Sequence, residues 1–358
     1  MTAFSRLDYK LVLASTVIML FGLLALLSSG GELFSRQLIW LIPAFLLLVG
    51  LPYLNLRAFL SYRWVRWGFY VSALVLLLIT FFVAPTIGGA KSWIRLGVFQ
   101  IQPSEFMKAA MIIFLSGFFA LRHVAIARLG IIITSFMYMI IPFALVLIQP
   151  DLGTALILFA IWFGYLLVSG IKKKHLFAAF LILIIISAVS WSFLLADYQK
   201  DRIAGLFSPE LDPLGINYNV IQSKIAIGSG GFLGKGFGQG TQVHLGFLPA
   251  AHTDFAFSTF VEEWGLLGAA LLIGAFVYLV YRVLVLGKES DNNFAHLVAL
   301  GTALMLMIHF VINLGSATGV LPVIGVGFPL LSYGGSNLLT VTLLLGIIQA
   351  ISSRKVLT

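Results

Sequence analysis

The chain has 358 residues, 60% of them hydrophobic and only 10% charged, with a mean hydropathy of +1.06 and a formal net charge of +9. An ordinary soluble domain carries about 25% charged residues, so the polar groups here are too few to cover a water-facing surface and bilayer is the remaining solvent. The absence of cysteine excludes disulfides, thiolate nucleophiles and cysteine-held metals. At roughly 20 residues per span the length admits about ten transmembrane helices. Unbroken apolar runs exclude the alternating strands of a membrane barrel. In chain order, runs at 11–28, 38–54, 68–84, 104–121, 129–148 and 152–169 predict the first six spans. Runs at 176–195, 255–286, 295–314 and 337–353 predict the last four. The first follows Arg6 and Lys10 in the manner of a signal peptide, but no small-x-small cleavage site follows and it reads as a retained span. The eighth is longer than a bilayer needs, which places its first two turns at or above the outer interface. No Pro/Ser-rich linker divides the chain, so 1–358 reads as one all-α, polytopic membrane domain.

Orientation follows from the basic residues. With the N-terminus inside, the inner segments hold most of the 22 Lys and Arg, including Arg6, Arg57, Arg63, Lys172, Lys288 and Lys355. Their only acids are Asp8, Glu289 and Asp291. Both termini then lie inside. The basic balance is this bias, not a nucleic-acid patch. Inner loops are short, whereas a long outer loop at about 196–254 joins spans seven and eight. Smaller outer segments occupy 85–103 and 315–336. Polar, glycine-bearing loops on so apolar a scaffold are candidates for function.

Asp254 stands in Ala251-His252-Thr253-Asp254-Phe255, where the long loop meets span eight. A carboxylate at that boundary is partly desolvated, which raises its pKa and makes it a better base. Thr253 or Asp254 ahead of an apolar run also reads as an ordinary helix start. Glu105 and Lys108 lie three apart at the top of span four, on one helical face. Ionisable groups there cost about 2.5–3.5 kcal/mol each on insertion scales and are functional candidates, or a self-satisfied pair that locks the helix top. Lys91 and Arg95 flank Trp93 in Lys91-Ser92-Trp93-Ile94-Arg95. Arg holds phosphate bidentately and Lys acts as a point charge, while an interfacial Trp is most simply a bilayer anchor. Asp151, in Gln149-Pro150-Asp151-Leu152-Gly153-Thr154, reads as the cap of span six, with a metal or substrate role as the rival. The segment Gly228-Ser229-Gly230-Gly231-Phe232-Leu233-Gly234-Lys235-Gly236 is no nucleotide loop. Ser229 replaces a required Gly, and Gly236 replaces the Ser/Thr after Lys235. Its amides are left to cradle a pyrophosphate or to form a flexible turn. One of Glu262 and Glu263 can face a site at the outer end of span eight.

Several motifs resemble a known family. The runs Gly89-Ala90-Lys91-Ser92-Trp93, Gln102-Pro103-Ser104-Glu105-Phe106-Met107-Lys108 and Gln149-Pro150-Asp151-Leu152-Gly153-Thr154 are similar to those of the SEDS proteins of bacterial shape, elongation, division and sporulation. So are Asp212-Pro213-Leu214-Gly215, the run from Gln222 to Gly231, His252-Thr253-Asp254-Phe255 and Pro329-Leu330-Leu331-Ser332-Tyr333-Gly334-Gly335-Ser336. The run from Gln222 to Ile227, with Gly240-Thr241-Gln242, resembles the elongation-type rather than the division-type branch. The resemblance implies a peptidoglycan glycosyltransferase that polymerises lipid II at the outer face of the bacterial cytoplasmic membrane. It would work with a class B penicillin-binding protein and other membrane proteins of the elongation machinery. The family's essential aspartate matches Asp254, its span-four pair matches Lys108 and Glu105, and its loop arginine matches Arg95. Lys91, Lys224 and Lys235, further cations of the outer motifs, complete the candidate substrate-binding set. Gly246, Ala250, Ala251 and Asn337 depart from the common pattern.

The chemistry so implied has a sugar 4-hydroxyl attack an anomeric carbon and displace a lipid pyrophosphate. It needs a base, assigned to Asp254, and positive charge for the leaving group, assigned to Lys108 and Arg95. Glu105 would orient Lys108 or, with Asp151 as the other candidate, help hold a metal. An oxygen-rich, cysteine-free site suits Mg²⁺ or Mn²⁺ rather than Zn²⁺, though the carboxylates can act without one. No nucleotide is expected. The rival function is a flippase for a lipid-linked cell-wall precursor, which should spread ionisable groups through the membrane depth or show two related halves. Here they cluster at the outer ends, which favours the transferase.

Overall fold

The computed structural model describes residues 7–29, 31–86, 91–96, 99–122, 128–168 and 217–352, with scattered residues between 170 and 215. Two long helices open the fold, α1 (Tyr9–Ser29) and α2 (Gly31–Gly50). A short α3 (Leu56–Ser61) leads into α4 (Arg63–Val83). A small antiparallel pair, β1 (Ile94–Leu96) and β2 (Phe99–Ile101), places Arg95 opposite Gln100. Next come α5 (Pro103–Ala120), α6 (Leu129–Ile148) and α7 (Leu152–Val168). After the long loop stand α8 (Tyr218–Ser229), a single turn α9 (Thr241–His244), α10 (Ala256–Glu289), α11 (Asn293–Thr318) and α12 (Gly335–Ser352). Among the described residues, eight helices are long and apolar enough to cross a membrane, and α7 is a shorter apolar one. These nine coincide with nine of the ten predicted runs. The remaining run, 176–195, lies in large part outside the described residues.

Two boundaries differ from expectation for physical reasons. α2 begins seven residues before its apolar run, where an exposed i, i+4 pair, Arg36 Nη2 to Glu32 Oε1 at 2.6 Å, supports extra turns. The long predicted loop contains a packed helix, α8, whose Ser223 and Ala226 are buried against α10 and α11.

At the centre stands α5, packed on α4, α6, α7, α11 and α12, with only Phe106 and Ala120 of its residues short of full burial. Lipid tails are as apolar as Leu, so helices in a bilayer associate through close fit and interhelical hydrogen bonds. The Tyr165 hydroxyl of α7 bonds Ser116 Oγ of α5 at 2.9 Å and donates to Leu297 O of α11 at 2.9 Å, stitching three helices. Outside, large apolar side chains such as Leu46 and Phe82 are exposed, as a bilayer-facing surface requires.

The two ends of the bundle are held differently. At one, Arg282 Nε near the end of α10 donates to Asp8 Oδ2 at 2.9 Å, and Gln349 Oε1 of α12 accepts from Asp8 N at 3.1 Å. At the other, Ser29 Oγ meets His252 Nδ1 at 3.3 Å and Ser28 donates to Glu263.

That second end holds the break in α10. Gly265 has φ 67° and ψ −168°, so Ala256–Glu289 is two helices joined at a kink, with the two turns expected at the outer interface lying before the break. Its freed backbone groups are taken up by the glycine-rich segment. Lys235 N and Gly236 N donate to the carbonyls of Glu262 and Glu263, each at 3.0 Å. Leu266 N and Leu267 N donate to Gly231 O and Phe232 O at 2.9 and 3.1 Å. Two of the amides offered to a pyrophosphate, those of Lys235 and Gly236, are therefore spent on mending a broken helix, and a third, Gly234 N, donates to Gly230 O at 2.9 Å.

Candidate active site

A cavity of about 110 Å³ opens at the kinked end, where the N-termini of α5, α7 and α12 meet the later turns of α11. It is lined by Glu105 and Lys108 of α5, Thr154 of α7, His309 of α11, Asn337 of α12, and Thr253 and Asp254 just ahead of α10. Trp93, Gln102 and the loop residues Gly325–Gly327 and Ser332–Gly334 close its sides.

Asp254 is set by its own backbone. Three consecutive carbonyls accept hydrogen bonds from residues far along the chain. His252 O takes Tyr333 N at 2.8 Å, Thr253 O takes Ser332 Oγ at 2.6 Å, and Asp254 O takes Asn313 Nδ2 at 2.9 Å. The Ser332 hydroxyl also accepts from Phe328 N at 2.8 Å, and Asn313 Nδ2 donates to Val326 O at 2.9 Å. The 320–334 loop thus clamps the stretch that presents the half-buried Asp254. A group fixed this way loses little freedom when a substrate arrives.

Opposite lies a buried charge cluster. Lys108 Nζ is 2.7 Å from Glu105 Oε1 and 2.8 Å from His309 Nε2, and Asn337 Nδ2 donates to Glu105 Oε2 at 3.1 Å. Both carboxylate oxygens are engaged, so the lysine is compensated despite being 1% exposed. Pro103 starts α5 and Glu105 sits in its first turn, where the helix dipole favours an anion. Asp151 caps α7, its Oδ1 accepting from Thr154 N and its Oδ2 from Thr154 Oγ1 and Gln102 Nε2, all at 3.0 Å. Gln102 N donates in turn to Ser336 Oγ at 2.9 Å. This chain of contacts fixes the starts of α5, α7 and α12 against one another. Beside the cavity, burial lowers the pKa of His252.

Residues 6–356 match the model of a family of cell cycle proteins named for FtsW, RodA and SpoVE. The chain belongs to this FtsW/RodA/SpoVE family. It is 33% identical over 353 residues to the peptidoglycan glycosyltransferase MrdB of Escherichia coli, covering 98% of this chain and 94% of that one. A probable peptidoglycan glycosyltransferase FtsW of Trichlorobacter lovleyi is 34% identical over 369 residues, with the same coverage. Among solved structures, a chain of a peptidoglycan synthase complex, described as coordinating polymerization and crosslinking, superposes with a TM-score of 0.82. Its identity is 32%, over 96% of this chain and 97% of that one. The rod shape determining protein RodA of Thermus thermophilus gives 0.71 at 30% identity, over 96% of each chain.

Of the residues singled out in the sequence of this FtsW/RodA/SpoVE family member, Asp254, Glu105 and Lys108 share the cavity, and Asp151 lies one hydrogen bond behind it. The other four cations stand outside. Lys91 and Arg95 are exposed on and before β1, and Lys224 is exposed on α8 beside Gly319. Lys235 pairs with the fully buried Glu262, Nζ to Oε1 at 2.6 Å, because that carboxylate beside the kink needs a counter-charge. The sequence reading missed His309, Asn313 and Ser332 as parts of the site. His309 carried a usable signal, since an ionisable residue inside an apolar run is a functional candidate. Asn337, noted only as a departure, is a partner of Glu105.

Proposed function

We propose that this chain, a membrane-embedded peptidoglycan glycosyltransferase of cell wall synthesis, polymerises lipid II at the outer face of the bacterial cytoplasmic membrane, with Asp254 as the base. The observation that carries the reading is the sharing of one cavity by a backbone-clamped Asp254 and a buried, carboxylate-held Lys108. Asp254 takes the proton of the acceptor 4-hydroxyl as its oxygen bonds to the donor's anomeric carbon. The bond from that carbon to the lipid pyrophosphate breaks, and the electron pair leaves on the phosphate oxygen. Lys108 stabilises the charge that grows there, and a preorganised charge in a site with little water is worth far more than in bulk solvent. Arg95 and Lys91, exposed near the mouth, are assigned to the outer phosphate and the incoming strand. Lys224, and Lys235 through its exposed part alongside the pairing with Glu262, are assigned to the glycan.

Among the described residues no three His, Asp or Glu side chains converge as a ligand set. Glu105, with Asp151 behind it, and the substrate's phosphates are the oxygens assigned to Mg²⁺ or Mn²⁺. Such an ion would neutralise pyrophosphate charge.

An inside N-terminus, which puts the cavity on the outer side, is supported by the basic bias of the opposite segments. An elongation role follows from the motifs at 222–227 and 240–242, with a class B penicillin-binding protein and other elongation-machinery membrane proteins as partners. The test is polymerisation of labelled lipid II by the purified protein with its cognate penicillin-binding protein. Wild type should make glycan ladders, and Asp254→Asn, with unchanged thermal unfolding, should make none. Ladders from both would move the base to Glu105. Product from neither, with lipid II still crossing vesicle membranes, would favour the flippase. Ladders that persist in EDTA would assign the leaving group to Lys108 without a metal.

A further inference from the structure

Glu105 and Lys108 are three residues apart on α5, and a pair so spaced lies along the surface of its own helix. By itself it gives the ammonium no reason to face the cavity. The second partner comes from another helix, 201 residues away in sequence: His309 of α11, 2% exposed, with Nε2 at 2.8 Å from Lys108 Nζ. The ring's other nitrogen, Nδ1, is 2.8 Å from Met305 O. A carbonyl can only accept, so Nδ1 carries the hydrogen and Nε2 presents its lone pair to the lysine. A protonated ring would set two cations at hydrogen-bond distance with no acceptor between them. The pair is therefore a charged lysine and a neutral histidine. An ammonium has three donors. Glu105 and His309 take two in directions fixed by two different helices, and Lys108 lines the cavity, so the third is left for a group bound there.

We propose that His309 is a positioning residue, holding the Lys108 ammonium across the α5–α11 boundary and aimed at the departing pyrophosphate. This rests on the assignment of Lys108 to the leaving group. Its effect is realised as charge develops in the transition state, so losing it should lower kcat more than it raises KM.

The experiment measures kcat and KM for lipid II polymerisation by the complex with the penicillin-binding protein. Wild type is compared with His309→Leu, His309→Gln, Lys108→Met and the double variant His309→Leu/Lys108→Met. His309→Leu keeps bulk but no acceptor, and kcat should fall roughly 10- to 100-fold, the scale of a misplaced catalytic group. His309→Gln offers an amide oxygen to the ammonium and should stay within roughly threefold of wild type. In the Lys108→Met background, His309→Leu should cost nothing further, because two residues acting through one contact are not additive. If the Lys108→Met rate is too low to read, the rescue by Gln and the kcat-against-KM split decide. Should His309→Leu not be recovered folded, His309→Asn, polar but too short to reach Lys108, replaces it with the same expectation. Full kcat in His309→Leu, a Gln variant as poor as Leu, or independent losses in the double variant would each overturn the proposal. Lys108→Met at the wild-type rate would remove Lys108 from the leaving group and this proposal with it. An inactive Asp254→Asn would still leave the glycosyltransferase reading standing.

Discussion

At the scale of single residues, the site is a set of side chains whose polar atoms are almost all used by neighbours. His252 shows what such confinement does to chemistry. Its ring is partly buried beside Ser29, and desolvation lowers its pKa. With a folded-state pKa below the unfolded value of about 6.5, unfolding takes up a proton. The stability held by the neutral ring is complete above that unfolded value and is lost as pH falls through the folded one. The thermal unfolding midpoint in detergent should therefore drop between pH 7.5 and 5.5, and His252→Gln should flatten that drop. An identical slope in the variant would assign acid sensitivity to another group. Asp254, Glu105 and Lys108 were legible in the sequence because a charge at the end of an apolar run stands out whatever it touches. Asn313 and Ser332 were not, because a polar residue holding a distant carbonyl looks like any other polar residue in a loop or helix.

At the scale of elements, the kinked α10 decides how the loop before it is used. A glycine at φ 67° adopts a conformation that a Cβ penalises. A Cβ on Gly265 would also strike Gly234 N and Phe232 O, and one on Gly234, itself at φ 85°, would strike Glu263 O. Gly265→Ala is expected to destabilise the protein by on the order of 3 kcal/mol or more through strain and overpacking together. The measurement is the thermal unfolding midpoint and the yield of monodisperse protein in detergent; wild-type values for both would mean the chain does not need the break. The spans were legible as elements because hydropathy is summed over some twenty consecutive residues and survives local irregularity. The kink was hidden, since one glycine inside an apolar run does not announce a positive φ. The glycine-rich segment looked like an anion loop for a related reason: the amides of Lys235 and Gly236 are matched to carbonyls, but those carbonyls belong to a helix 27 residues on.

At the scale of the molecule, the two ends of the bundle differ in kind. One is closed by Asp8, Arg282 and Gln349, close to the basic segments; the other carries the kink and the cavity. The absence of cysteine makes the proposed orientation directly testable. Single cysteines at the exposed positions Glu32 and Lys91 should react with a membrane-impermeant maleimide added to intact spheroplasts. Cysteines at the exposed Arg63 and Lys288 should react only after permeabilisation. The reverse pattern would place the cavity inside the cell and rule out an extracytoplasmic polymerase.

The sequence alone determined that this is a helical membrane protein, where most of its spans lie, and that Asp254, Glu105 and Lys108 gather toward one end. Those conclusions depend on composition and charge along short stretches, which need no knowledge of neighbours. Tertiary structure decided which polar groups share a cavity. It drew Lys108 to His309 and Glu105 to Asn337, spent Lys235 on Glu262, and left Arg95 and Lys91 at the surface. It also clamped the backbone of Asp254 from residues 59 to 81 positions away. The physical reason is common to all of these. A buried polar atom must find a partner wherever the packing of helices supplies one, and the spacing of residues along the chain does not record which helix that will be.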